Sequence, residues 1–155
     1  MFLSPYILFK SDREEKEWFE GVRNEKSHGF VHPALYVVVL AAARWHYLRI
    51  GQPAVVTHLL RTAEEQRTIY PGSSAFRSPH EFGRAVDLRT ADLSDQDARE
   101  WEAWVNQAFS YQGREGLTTA LLHHVGDRGE HLHLQVGPLE KIPQLRETLI
   151  RDTQT

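Results

Sequence analysis

This chain is expected to fold as a single α+β domain spanning residues 1–155, a mainly antiparallel sheet with helices packed on one face. Three observations predict this. The hydrophobic patterns run helix, helix, strand, short helix, strand, helix and then two strands flanking a polar glycine turn, without the regular strand–helix alternation of a parallel sheet. The strand over 84–89 sets Ala85, Asp87 and Arg89 on one side against Val86 and Leu88 on the other, so one face belongs to a core and the other is free for chemistry. A length of 155 residues, with 41% hydrophobic, suits one core and one domain.

The first ten residues are apolar, but Pro5 breaks the run and no basic stretch precedes it, so a secretory signal is not expected. Residues 12–20 (DREEKEWFE) read as a short helix that packs Trp18 and Phe19 on the core, and residues 24–32 as loop. Pro33 suits the first turn of a helix that runs through Arg49 and stops at Gly51. Its apolar run over 34–43 is too short to span a bilayer and reads as buried helix.

Residues 53–60, rich in β-branched side chains, read as a strand. Thr62 followed by Glu65 is a capping-box pattern that opens a short helix over 62–69, and residues 71–74 form a turn. Ser94 caps a helix of about fifteen residues on which Trp101, Trp104, Val105 and Ala108 recur at helical spacing. Residues 121–125 and 131–136 are strands joined by the turn 126–129, and residues 142–150 close as a helix. There is no internal repeat, linker or low-complexity segment.

A formal net charge of -3 offers no electrostatic footprint for nucleic acid, and neither a membrane nor an obligate protein partner is expected. With no cysteine, disulfides and thiolate metal sites are excluded. Any metal must sit on nitrogen and oxygen, and nine histidines offer nitrogen.

Two segments carry such donors. Ser78-Pro79-His80-Glu81-Phe82-Gly83-Arg84-Ala85-Val86-Asp87 holds an imidazole and a carboxylate seven positions apart, and Glu130-His131-Leu132-His133 a carboxylate and an imidazole three apart. His80, Asp87 and His133 would hold Zn2+ with a fourth position left for water, which distinguishes a catalytic zinc from a structural one. Glu130 would then act as the base. His131 shares a strand face with His133, and would stabilise charge beside the metal or share the proton transfer. Arg61, just after a strand, would hold a substrate carboxylate or a developing oxyanion; its bland alternative is a pair with Glu64 or Glu65. One of His123 and His124 should face the site, in a structural role, while His28, His32, His46 and His58 are taken as structural and the four tryptophans as core.

Together these motifs resemble the LAS-type zinc peptidases, which unite lysostaphin-type enzymes, D-alanyl-D-alanine peptidases and the hedgehog signalling domain. Ser78, His80, Gly83, Ala85 and Asp87 fill every place of that family's Ser-x-His-x-x-Gly-x-Ala-x-Asp pattern. Glu130 and His133 fill its Glu-x-x-His, and Arg61 and Gln66 match its upstream arginine and glutamine, so the likeness covers roughly residues 33–137. The resemblance is nearest to D-alanyl-D-alanine carboxypeptidases (VanY-like) and phage L-alanyl-D-glutamate endopeptidases.

It implies a hedgehog/DD-peptidase-like fold, zinc on His80, Asp87 and His133, Glu130 as base, and Arg61, Gln66 and Ser78 on the substrate side. The implied activity is hydrolysis of peptidoglycan stem peptides, by a D,D-carboxypeptidase or an L-Ala-D-Glu endopeptidase. Synthesis in the cytoplasm is expected, with action on the cell wall after phage-type release or within a virion. The competing expectation is a module of the same fold that binds metal without turnover, or serves as a phage virion structural part.

Overall fold

The computed structural model describes residues 5–24, 27–72, 78–113, 115–124 and 130–138, with the backbone alone at 22–24, 27–29 and 124. In chain order the elements are β1 (Ile7–Phe9), α1 (Asp12–Glu20), β2 (Val22–Asn24), β3 (Ser27–Gly29), α2 (Pro33–Ile50), β4 (Ala54–His58), α3 (Ala63–Ile69), a 3-10 turn (Pro79–Phe82), β5 (Ala85–Arg89), α4 (Asp95–Ala108), β6 (Ala120–His124) and β7 (Glu130–Gln135).

Local signals set the helix ends. Pro33 starts α2 behind His32, whose Nδ1 accepts from the Ala34 N–H, and Gly51 ends it in the left-handed region at φ 81. Thr62 and Glu65 close both halves of the capping box on α3. Ser94 caps α4 by accepting from Asp97 N, with Asp95 and Asp97 placed favourably in its first turn.

Five strands form one sheet in the order β1-β4-β5-β7-β6. The β4–β5, β5–β7 and β7–β6 pairs are antiparallel, but β1 pairs with β4 in parallel. The sheet is therefore mixed, which corrects the mainly antiparallel expectation. The cause is connectivity: between β1 and β4 the chain passes through α1 and the 18-residue α2, and such a helical crossover returns the next strand in the same direction. Residues 24–32 also differ from expectation, since β2 and β3 form a short antiparallel ladder, Val22↔Gly29 to Asn24↔Ser27.

Alternation then divides the sheet. Ile7, Ala54, Val56, Val86, Leu88, Ala120, Leu132 and Leu134 are buried in one cluster with Leu35 and Val39 of α2 and Trp101 and Val105 of α4. Fully burying a leucine such as Leu132 or Leu134 contributes about 1.5–3 kcal/mol, so this face fixes the register. Trp101 is fully buried, and its indole N–H donates to the Ala42 carbonyl at 3.0 Å. Trp18 is buried and Trp45 and Trp104 pack against the cluster, so the tryptophans are core as expected. Phe19 is not: it is 42% exposed, with its ring against Phe9.

Helices are not confined to one face either. Glu65, Thr68 and Ile69 of α3 line the same cavity as Val55, Thr57, Asp87 and His131 on the opposite side of the sheet. With seven residues and only Gln66 buried, α3 has no apolar stripe to dock on the core. Among the described residues no helix is long and apolar enough to cross a membrane. The expected turn 126–129 and closing helix 142–150 lie outside the described residues.

Candidate metal centre

The site grows from the central ladder. Asp87 of β5 stands opposite His133 of β7 and Arg89 opposite His131, while β6 sets His123 opposite His131. Directly opposed residues have Cβ atoms only about 4.5–5.5 Å apart, so the ladder alone gathers these side chains over one patch of sheet.

His80 arrives from the 3-10 turn. Ser78 caps that turn, its Oγ accepting from His80 N, and Glu81 answers by accepting from Ser78 N. Gly83 ends it at φ 63, where a Cβ would lie 1.9 Å from the Phe30 carbonyl oxygen, so both backbone conformation and space demand glycine. His80 is 2% exposed, and its Nδ1 lies 2.7 Å from the Leu59 carbonyl oxygen. A carbonyl only accepts, so Nδ1 carries a proton, and Nε2, the nitrogen left for a cation, points at Asp87 Oδ1 3.3 Å away. The Leu59 carbonyl is the outer partner that a metal-binding imidazole needs to fix its tautomer.

His133 Nδ1 lies 2.9 Å from the same Asp87 Oδ1, and His131 Nε2 lies 3.5 Å from it. Burial pushes the Asp87 carboxyl up, but the imidazoles of His80 and His133 outweigh that and hold it well below the usual range. Asp87 is thus an ionised carboxylate in a buried place.

The donor atoms of His80, Asp87 and His133 all fall within 4.8 Å of one another. Zinc bonds of about 2.0–2.2 Å at tetrahedral angles set ligands about 3.3–3.6 Å apart. The 3.3 Å edge between His80 and Asp87 matches this, and the 2.9 Å His133 contact would have to open by a few tenths of an ångström for both atoms to bind one cation. Two imidazoles and a carboxylate are also zinc's own ligand chemistry, so the residues fit the ion.

Arg61, Gln66 and Ser78 are likewise brought together. Arg61 Nη1 donates to Gln66 Oε1 at 2.8 Å and to Ser78 Oγ at 3.5 Å. Gln66 Nε2 is buried without a hydrogen-bond partner among the described residues. Glu130 opens β7 in an exposed position and lines the cavity with His131, while alternation gives its side chain the parity opposite His131 and His133. The expected glycine-bearing turn 126–129, just before Glu130, lies outside the described residues. The cavity over Asp87 and His131 measures about 680 Å³, and Lys10, Arg13, Thr57 and His58 also line it.

Two histidines read as structural belong here. His58 rings against His80 at 5.1 Å between centroids, and its Nε2 accepts from Arg61 Nε at 3.2 Å. Burial, reinforced by His80 and Arg61, pushes its pKa down to about 3, so it is a neutral acceptor. Strict alternation would send His58 to the core side with Val56. A register shift between Val56 and His58 turns it to the site instead, and residue spacing does not disclose such a bulge.

His123 lies 4.5 Å from the His131 ring and 5.3 Å from that of His133. Burial first, then those two histidines, push its pKa down to about 4, and its Nε2 is buried without a partner among the described residues. The His124 and His28 side chains lie outside the described residues. His32 caps α2, and His46 packs on Trp101 with Nδ1 2.9 Å from the Gln52 carbonyl oxygen, so both are structural as expected.

Comparison with known proteins gave no match: no family model, no curated protein and no solved structure matches the chain.

Proposed function

We propose that this chain is a zinc-dependent peptidase of the hedgehog/DD-peptidase type that hydrolyses stem peptides of bacterial peptidoglycan. The observation that carries it is the convergence of His80, Asp87 and His133 on one buried point beside an open cavity. The substrate class rests on the motif resemblance, and the clustering of Arg61, Gln66 and Ser78 supports it.

Zinc in that cradle supplies Lewis acidity, lowering the pKa of water and polarising a carbonyl. The chain's own groups do the rest. Asp87 supplies the negative charge that retains the cation, and the Leu59 carbonyl holds His80 in the tautomer that leaves Nε2 free. His131 Nε2 is near enough to Asp87 to stabilise charge developing beside the centre or to move a proton there. Glu130, on the cavity lining, takes a proton from water and returns it to the leaving amine. Arg61 holds a substrate carboxylate or the oxyanion, with Gln66 Oε1 and His58 Nε2 fixing its guanidinium.

The test is release of new amino termini from purified peptidoglycan, measured alongside bound zinc. Wild type should hydrolyse. His80→Ala should lose both zinc and hydrolysis, and Glu130→Ala should keep zinc and lose at least about 100-fold in rate. Zinc bound by wild type without hydrolysis would establish the silent metal-binding module instead.

A further inference from the structure

We propose that Asp87 serves two cations, a second divalent ion being held by Asp87, His123 and His131 beside the one held by His80, Asp87 and His133. The inference rests on the metal site proposed above and extends it to a two-ion centre, in which His131 is a ligand and the second ion takes over the charge stabilisation proposed for that side chain.

Two observations carry it. The donor atoms of Asp87, His123 and His131 also lie within 4.8 Å of one another, so the five side chains fall into two triads that share only the carboxylate. Each triad offers two imidazoles and one carboxylate oxygen, a complete ligand set for zinc, manganese or cobalt. The second observation is independent: His123 Nε2 is buried with no partner among the described residues. Buried polar atoms in native proteins are nearly always satisfied, and an ion or ordered water is the usual explanation when protein partners are lacking. The His123 ring lies against that of His131, and a neutral imidazole offers one nitrogen lone pair to a cation.

The two sites are not equivalent. His80, Asp87 and His133 are all buried, whereas His123 and His131 are half-buried and His131 lines the cavity. The second ion therefore sits on the solvent side, exchanges faster and binds more weakly. A carboxylate shared by ions about 3.5–4 Å apart is the arrangement by which two-metal hydrolases clamp both oxygens of a displacement. In this chain the outer ion would meet the substrate first.

The test is metal stoichiometry of the full chain by equilibrium dialysis against cobalt(II) and zinc, with electron paramagnetic resonance of the cobalt and manganese forms. Wild type should take two equivalents, the second at least about tenfold weaker, and the fully loaded form should show exchange coupling between ions sharing a carboxylate. His123→Phe, which keeps an aromatic ring against His131 and His133, should bind one equivalent without coupling. One equivalent in wild type overturns the second site and leaves the first intact, and no bound metal overturns both. Two uncoupled equivalents, or two that persist in a folded His123→Phe protein, place the extra ion elsewhere and overturn the assignment.

Discussion

At the residue scale, the chemistry of His80 is decided by a group that its own motif does not contain. The Leu59 carbonyl accepts a hydrogen bond from the Nδ1–H and leaves Nε2 to face Asp87. The triad itself was legible, because period-two alternation sends Asp87 and His133 to one face of a sheet and Leu88, Leu132 and Leu134 to the other. The Leu59 contact was not, since it joins positions 21 residues apart through tertiary folding alone. His58 was hidden by the bulge in β4, and His123 was half-visible, since only the register of β6 on β7 shows that it faces His131.

The Arg61 guanidinium bridges His58, Gln66 and Ser78, and the same group is proposed to hold substrate charge. Arg61→Ala should therefore retain zinc while turnover falls about 100-fold, the scale seen when a preorganised donor is removed. Steady-state kinetics alongside zinc content check this, and unchanged kinetics would reduce Arg61 to a structural residue. Truncation also strands the acceptors on buried Gln66 and half-buried His58, with a cost of about 1–3 kcal/mol in stability.

At the element scale, the 3-10 turn shows how one short motif serves two ends. Ser78-x-x-Glu81 is a capping box as well as part of the metal motif, and the Ser78 hydroxyl that accepts from His80 N also lies within reach of Arg61. The sequence reading gave Ser78 to substrate alone, whereas its observed partners are the turn it caps and Arg61. The long helices α2 and α4 were legible from caps and spacing. Strand β1 was not, because three residues are too few to display alternation and its partner β4 lies across a long crossover.

Gly83 supports the element that delivers His80. An alanine there meets both the left-handed backbone and the Phe30 carbonyl, so Gly83→Ala should lower stability by at least about 2 kcal/mol. A lower urea midpoint with an unchanged slope is the expected reading, and a midpoint equal to wild type would show that the turn relaxes freely.

At the scale of the whole molecule, protonation couples burial to stability. Burial pushes His46 below its ordinary 6.5, with the Gln52 carbonyl and Asp97 opposing, and it also pushes down His32, at the start of the same helix. The unfolded chain therefore binds protons on these side chains at a pH where the folded chain does not. Their contribution is complete above the unfolded value near 6.5 and is lost as pH falls from there through the lower folded values. Urea midpoints should accordingly decline as pH falls below about 6.5, with the lowered His58 and His123 adding to the decline, and His46→Phe, which keeps a ring against Trp101, should make it shallower. A slope unchanged by the substitution would assign the effect to other groups.

Strand β7 carries Leu132 and Leu134 inward and His131 and His133 outward on consecutive positions. Were it to pair one step out of place against β5, two imidazoles would enter the hydrocarbon interior and two leucines would face the carboxylate of Asp87. Proofreading of the strand by its oily side is thus also proofreading of the candidate metal centre, and a misregistered chain forfeits structure and that cluster together.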